Sequence, residues 1–494
     1  MMRKFENLFL QNGSLKQTMF KNIFWLMLSQ VSRILRTITL LYAARILGAT
    51  EYGTFSYVIG MVGLFSIFAD LGLSPLLVRE AGNPNKEKEY FATSFLMKIT
   101  LVGLTSVIFY FFAPLVMNVP MKNYFVVLAI ILIVVDNVRD FIVAYLRGLG
   151  KMERETLIAT TLNCSLAIFG FIVLLSNPSA KDFFLIYIIS SILATFVAIV
   201  LARKALLLVF NSFRKTIAWE ILQNAWPIAL SGTFGVVMLN IDIFMLGIYR
   251  TAGEIGLYSA GQKIIQIVYI IPSLLASGVF PTLTSIVKTG NVEHERNLNE
   301  KSISAIFLFT LPVVAGGLVL AESIFKLLFG HDYTAGAPAF MLLLLHTLIL
   351  FPGIMISSLV LAHNKQRKMF KYIMLASLSN VVLNYLLIPK IGILGAALAT
   401  LVAQTINYGF IWYEMKKISD FKIISGLKKS LLASLVMSGF AFAFDYLGVY
   451  VLLNIALSTL IYFGLLYLLK EKTLSDIKVF IKNSTAGEVR EEAV

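Results

Sequence analysis

The sequence predicts an all-α, polytopic membrane protein of about 14 transmembrane helices: two pseudo-symmetric six-helix bundles followed by two C-terminal helices. Three observations predict it. Of 494 residues, 58% are hydrophobic and only 14% charged, against roughly 25% charged in soluble domains, and the mean hydropathy is +0.82. Apolar runs follow one another from Phe20 to Leu469 with no polar linker between them, which excludes a soluble multidomain enzyme and a disordered or fibrous chain. The runs are continuous rather than alternating, which excludes a transmembrane β-barrel.

A helix needs about 20 apolar residues to cross roughly 30 Å of hydrocarbon. On that measure seven spans fall near 22–44, 54–77, 93–117, 123–146, 157–176, 183–202 and 218–247. Seven more fall near 256–280, 302–321, 338–361, 370–388, 393–413, 430–446 and 449–469. The 218–247 run is long enough to tilt, or to kink at Pro227. The first 20 residues have no continuous apolar core followed by a small-residue cleavage site. With Arg3, Lys4, Lys16 and Lys21, residues 1–21 read instead as an amphipathic segment on the cytoplasmic surface.

The net charge of +15 is a matter of topology rather than of nucleic-acid binding. With the N-terminus inside, 32 of the 42 Lys and Arg fall in inner loops and tails. Six of the seven outer connections carry one each, Arg45, Lys122, Lys181, Arg250, Lys326 and Lys390, and the last carries none. Cytoplasmic loops collect Lys and Arg, so a multi-pass protein of the cell membrane with both termini cytoplasmic is expected. Lys98, near the start of the third span, is counted here with the inner loop before it.

A short motif recurs. Glu51-Tyr52-Gly53-Thr54-Phe55-Ser56-Tyr57 and Glu254-Ile255-Gly256-Leu257-Tyr258-Ser259-Ala260 lie 203 residues apart, with Glu, Gly, an aromatic and Ser in register. Gly150-Lys151 after the fourth span has an echo in Asn364-Lys365 after the tenth. Six spans per copy bring the second copy in from the same side, so the halves should be related by an axis along the membrane normal, with a cavity between them. The expected organisation is a segment at 1–21, six-helix lobes at 22–210 and 211–415, two helices within 416–470, and a cytoplasmic tail at 471–494.

Signatures of chemistry are missing. No P-loop, HExxH, CxxC or GxSxG occurs, and no outer loop is long enough to form a domain. Cys164 stands alone in an apolar run, which excludes a disulfide framework or thiolate cluster. His294, His331, His346 and His363 are scattered over separate elements. Neither a metal site nor a cofactor is expected.

Charges within the spans are the informative residues, because an Arg or Asp at a helix centre costs about 2.5–3.5 kcal/mol on insertion scales. Arg33 and Arg36 are three apart in the first span, on one face. Asp136, Arg139 and Asp140 share a face of the fourth. Asp70 lies toward the end of the second, before Ser74-Pro75, where it could act as a cap. Asp242 and Lys263 are the second-lobe candidates. Arg139 can be neutralised by Asp136 or Asp140 along its own helix. Arg33 and Arg36 have no carboxylate in their own span, and need acids from other helices or an anionic ligand. A guanidinium fork matches phosphate oxygens bidentately, so Arg33, Arg36 and Arg139 are the candidate substrate contacts.

Ala44-Arg45-Ile46-Leu47-Gly48, Glu51-Tyr52-Gly53, Phe65 to Leu73 and Val78-Arg79-Glu80 resemble the polysaccharide-exporter flippases. These are the O-antigen-type translocases of the multidrug/oligosaccharidyl-lipid/polysaccharide (MOP) exporter superfamily. The resemblance implies two six-helix lobes around a V-shaped cavity that opens alternately to either side. It also implies a polyprenyl-diphosphate-linked oligosaccharide as cargo, moved to the outer leaflet for cell-surface polysaccharide synthesis, with a polymerase or glycosyltransferases as possible partners. A lipid II flippase and a cation-coupled multidrug exporter share the fold, although a multidrug exporter needs acids where the first span offers arginines. A membrane glycosyltransferase or polysaccharide polymerase is the alternative from another class, and the short outer loops speak against it. With no nucleotide site, the cycle must draw on an ion gradient, the membrane potential or consumption of cargo outside. Asp70, Asp136 and Asp140 would pair with the arginines in an empty cavity. An arriving diphosphate would compete for the same cations, linking cargo binding to uptake of H⁺ or Na⁺.

Overall fold

The computed structural model describes residues 15–82, 87–117, 122–176, 178–209, 212–422 and 427–471. Residues 1–14 of the expected amphipathic segment, and 472–494 of the expected tail, lie outside them. The described residues are almost wholly helical, and each expected span falls on helix, with 54–77 crossing from the helix that ends at Asp70 into the one that begins at Leu73, and 256–280 from the one that ends at Val268 into the one that begins at Ile270. α1 (Leu15–Asp70) bends at Gly48 (φ 75°) and so contains two spans. It begins at Leu15, so the last residues of the 1–21 segment continue the first span. A short α2 (Leu73–Glu80) follows. Then come α3 (Glu87–Val116), α4 (Lys122–Gly148), α5 (Met152–Ser176), α6 (Ala180–Leu206) and α7 (Lys215–Tyr249).

The chain continues with α8 (Ala252–Val268), α9 (Ile270–Thr289), α10 (Val292–Val319), α11 (Ala321–Phe329) and a 3₁₀ turn at His331–Gly336. The last five are α12 (Ala337–Ala362), α13 (Gln366–Ile391), α14 (Ile393–Lys416), α15 (Leu427–Tyr446) and α16 (Val451–Leu468). Twelve helical segments among the described residues are long and apolar enough to cross a membrane. One of them, Met27–Asp70, holds both spans of α1. α4 stands outside that set only because Lys122, Asp136, Arg139, Asp140 and Arg147 interrupt its apolar surface. The expected fourteen are thus recovered, and α7 runs unbroken from Lys215 to Tyr249.

Packing divides the chain into two compact units, Met1–Ala260 and Gly261–Val494. Counting six spans from the N-terminus put a boundary at 210/211, but α7 packs against α1, α2 and α3 and belongs with the first unit. That unit's core gathers Leu77, Phe91, Phe141, Tyr145, Ile158 and Ile221. In the second unit, Phe307, Phe351, Met355 and Ile411 centre one cluster, and α15 and α16 join α10 through Leu308, Met437 and Tyr462. Phe111, Leu175 and Leu460 are among many large apolar side chains left exposed. In water such a surface would aggregate; in a bilayer it is the lipid-facing wall.

Both repeats seen in the sequence are structural. Gly150 (φ 68°) and Asn364 (φ 54°) are left-handed residues closing α4 and α12 in the same way. Lys151 N–H donates to Leu146 O and Gly150 N–H to Arg147 O, as Lys365 N–H donates to Val360 O and Asn364 N–H to Leu361 O. Each is a Schellman cap, whose left-handed position Gly or Asn fills at low cost. The two copies of the seven-residue motif meet within the first unit. A Cβ on Gly53 would stand 1.7 Å from Ala252 O, and one on Gly256 would stand 1.9 Å from Ala49 O. Ala49 and Ala252 share the 203-residue offset of the two glycines, so this contact is reciprocal, as a two-fold relation demands.

A methyl at either position must therefore displace backbone. Gly53→Ala and Gly256→Ala should each cost about 1–3 kcal/mol or more and lower the melting temperature of the purified protein. Gly103→Ala, where nothing lies within 4 Å, should not. Equal melting of all three would contradict the close crossing.

Candidate functional site

α4 carries charge across the middle of the first unit. Asp136 is about 21 Å along the helix from Lys122, and Arg36 about 18 Å from the Gly48 bend, at 1.5 Å per residue. Arg139 Nη1 donates to Asp136 Oδ1 at 2.6 Å and to Ser191 Oγ at 2.7 Å. Its Nε and Nη2 donate to Asp140 Oδ1 at 3.1 and 2.9 Å. Ser191, from α6, donates in turn to Asp136. Arg139 is thus neutralised along its own helix, as its sequence spacing allowed. Arg36 donates to the hydroxyl of Tyr187, also on α6, and its guanidinium lies 5.3 Å from the ring centroid. It acts electrostatically on Asp136, which brings α1, α4 and α6 into one cluster.

The neighbouring face of α4 holds a second network. Lys98, on α3, is only 1% exposed and donates to Asp70 Oδ1 at 2.7 Å and Asn137 Oδ1 at 3.0 Å. Asn137 donates to Ser66 Oγ at 3.0 Å. Asp70 also accepts from the hydroxyl of Ser74 and, at 3.4 Å, from its N–H, the capping role its position suggested. Between them Leu71 (φ 42°) and Gly72 (φ 80°) turn the chain from α1 into α2. Gly72 is required there twice over, because a Cβ would also stand 2.7 Å from Ala225 O. Asp140 acts on Lys98 electrostatically, so the two networks form one polar layer.

Arg33 differs from the rest. Its side chain is exposed, and among the described residues no hydrogen bond or ion pair of its guanidinium is found; it feels Arg36, Glu155 and Arg147 through space. Arg36, Arg139 and Lys98 are matched in number by Asp70, Asp136 and Asp140. Arg33 is the surplus cation. Asp242 is buried in the first unit and accepts from Tyr258 OH at 2.7 Å. Lys263, in the second unit, donates to Gln266 at 3.3 Å.

Sequence reasoning missed Lys98, Asn137, Tyr187 and Ser191. Lys98 stands only five residues inside a span that starts at 93, close enough to its end to count with the inner loop. α3 begins at Glu87, which sets Lys98 about 16 Å into the helix, too deep to reach water easily. Tyr187 and Ser191 lie one turn apart on α6, but hydroxyls in an apolar run give no sign of which neighbour they face.

A polytopic helical bundle with a paired ionic layer in its membrane interior defines the class of a transporter. Residues 19–287 match the model of the polysaccharide biosynthesis protein family, and the chain belongs to that family, the polysaccharide-exporter branch of the MOP superfamily. It is 22% identical to a probable low-salt glycan biosynthesis flippase of Haloferax volcanii, over 86% of this chain and 89% of that protein. It is 30% identical to a putative O-antigen transporter of Shigella flexneri over 34% of this chain and 40% of that one. Among solved structures it resembles the lipid II flippase MurJ in an inward closed conformation, with a TM-score of 0.72 at 18% identity, covering 92% of this chain and 100% of that one. An inward-facing multidrug resistance MATE family transporter of the MOP superfamily follows, with a TM-score of 0.64 at 14% identity, covering 81% and 99%. These two likenesses show the fold.

Breaking a buried ion pair on one side costs about 3–5 kcal/mol. Asp70 retains 27% exposure, so Lys98→Met should fall at the lower end of that range. Asp70→Asn combined with Lys98→Met should recover part of the loss. A double-mutant cycle on melting temperatures tests the pair, and strictly additive losses would show that the two do not interact.

Proposed function

We propose that this protein is a flippase that carries a polyprenyl-diphosphate-linked oligosaccharide from the cytoplasmic to the outer leaflet of the cell membrane. Both termini lie in the cytoplasm, and the protein makes and breaks no covalent bond. The layer of arginines opens alternately to either side, receives the diphosphate, and leaves the isoprenoid tail in lipid. One observation carries the reading: among the described residues Arg33 has no hydrogen-bond or ion-pair partner, while Arg36, Arg139 and Lys98 have carboxylate or hydroxyl partners. A lone guanidinium in such a place is suited to an anion that arrives and leaves. The loop charge supports the orientation. The glycan and O-antigen names of the relatives support the cargo, and the surplus of cations argues against cationic drugs.

The partners distinguish two kinds of arginine. Removing Arg33 takes away a charged contact with cargo, worth about 1.5–3 kcal/mol for a hydrogen bond to a charged group, or roughly ten- to a hundredfold in rate. Removing Arg139 leaves Asp136 and Asp140 without their cation. In proteoliposomes loaded with a fluorescent lipid-linked oligosaccharide, Arg33→Gln should therefore slow translocation at least tenfold while melting as the parent does. Arg139→Gln should lose both activity and stability. Full translocation by Arg33→Gln would overturn the reading.

A further inference from the structure

A second arginine site lies at the end of the first unit where α4 gives way to α5. The Schellman cap at Gly150 fixes the α4–α5 corner, and with it Arg147, the residue before the last of α4. The fork of Arg147 closes on Glu155: Nε donates to Oε2 at 2.9 Å, and Nη2 donates to Oε1. Glu155 is buried at 8% exposure, whereas the Arg147 side chain is 49% exposed. A carboxylate held by two parallel N–H groups marks the place where two phosphate oxygens fit the same fork. Glu155 and Arg147 lie within electrostatic reach of Arg33, and Asp140 within reach of Arg147. The corner is thus continuous with the inner layer.

We propose that Arg147 forms a receiving site for the cargo's diphosphate at the cytoplasmic rim, ahead of Arg33 and Arg36, and that Glu155 is its built-in competitor, occupying the Arg147 fork until a phosphate displaces it. The inference rests on the flippase reading and adds two residues to it. Displacement matters for turnover. A rim of free arginines would hold a diphosphate tightly, and a carboxylate that returns to the fork helps it leave toward Arg36 and Arg139. As a mere brace between α4 and α5, the same pair would serve only stability.

Binding of geranylgeranyl diphosphate, geranylgeraniol and inorganic diphosphate to the detergent-purified full chain separates the two. Glu155→Gln frees the fork and should tighten geranylgeranyl diphosphate binding roughly tenfold, the scale of one charge-assisted hydrogen bond. Arg147→Lys keeps the charge but loses the fork, and should weaken that binding. Adding Glu155→Gln to Arg147→Lys should then bring no gain. The inorganic ion should show the same order more weakly if the phosphates alone are read at the rim. If the parent prefers the diphosphate over geranylgeraniol but Glu155→Gln binds it no better, the rim site is wrong and the flippase reading stands. If the parent does not distinguish diphosphate from alcohol, both fall.

Discussion

An ionised side chain inside a membrane must find a counter-charge, and the first unit is arranged around that requirement. Arg139 has two carboxylates on its own helix, Lys98 has Asp70 from α1, and Arg36 has the hydroxyl and ring of Tyr187. Asp70 and Tyr187 reach their cations from other helices, and Ser191 of α6 joins the Arg139–Asp136 pair, so these contacts also fix how α1, α3, α4 and α6 sit against one another. A buried pair of this kind adds little net stability and is costly to break on one side. It therefore specifies an arrangement more than it strengthens one. Under the proposed flippase reading, an arriving diphosphate would compete with these partners for the same cations.

α4 is the axis of this arrangement. Asp136, Arg139 and Asp140 serve one face and Asn137 the next, so one helix meets both networks at the same depth. Its lower end carries Arg147 to the α4–α5 corner, where Glu155 meets it. Elsewhere in the unit, the reciprocal crossing of Gly53 on Ala252 and Gly256 on Ala49 brings backbones together without room for a side chain.

Much of this was legible in the sequence. The spans followed from the length of apolar runs, and the Glu-x-Gly motif marked a contact that the fold realises. The spacing of Asp136, Arg139 and Asp140 showed a self-neutralising triplet. What stayed hidden depended on geometry between helices. Lys98 sits so near the start of its apolar run that it counts with the loop, and its partners Asp70 and Asn137 lie on other helices. Tyr187 and Ser191 are ordinary hydroxyls until α6 turns them toward Arg36 and Arg139. The boundary at 210 was drawn by counting spans, whereas the division at Ala260 follows packing, which counting cannot see.

The central claim is that Arg33 and Arg36 receive a diphosphate in the membrane interior of the first unit. An electron cryo-microscopy map of the protein with a lipid-linked diphosphate oligosaccharide bound tests it most directly. The account predicts phosphate density within hydrogen-bonding distance of both guanidinium groups, with Arg139 still held by Asp136. Phosphate density away from Arg33 and Arg36, with both side chains unchanged, would contradict it.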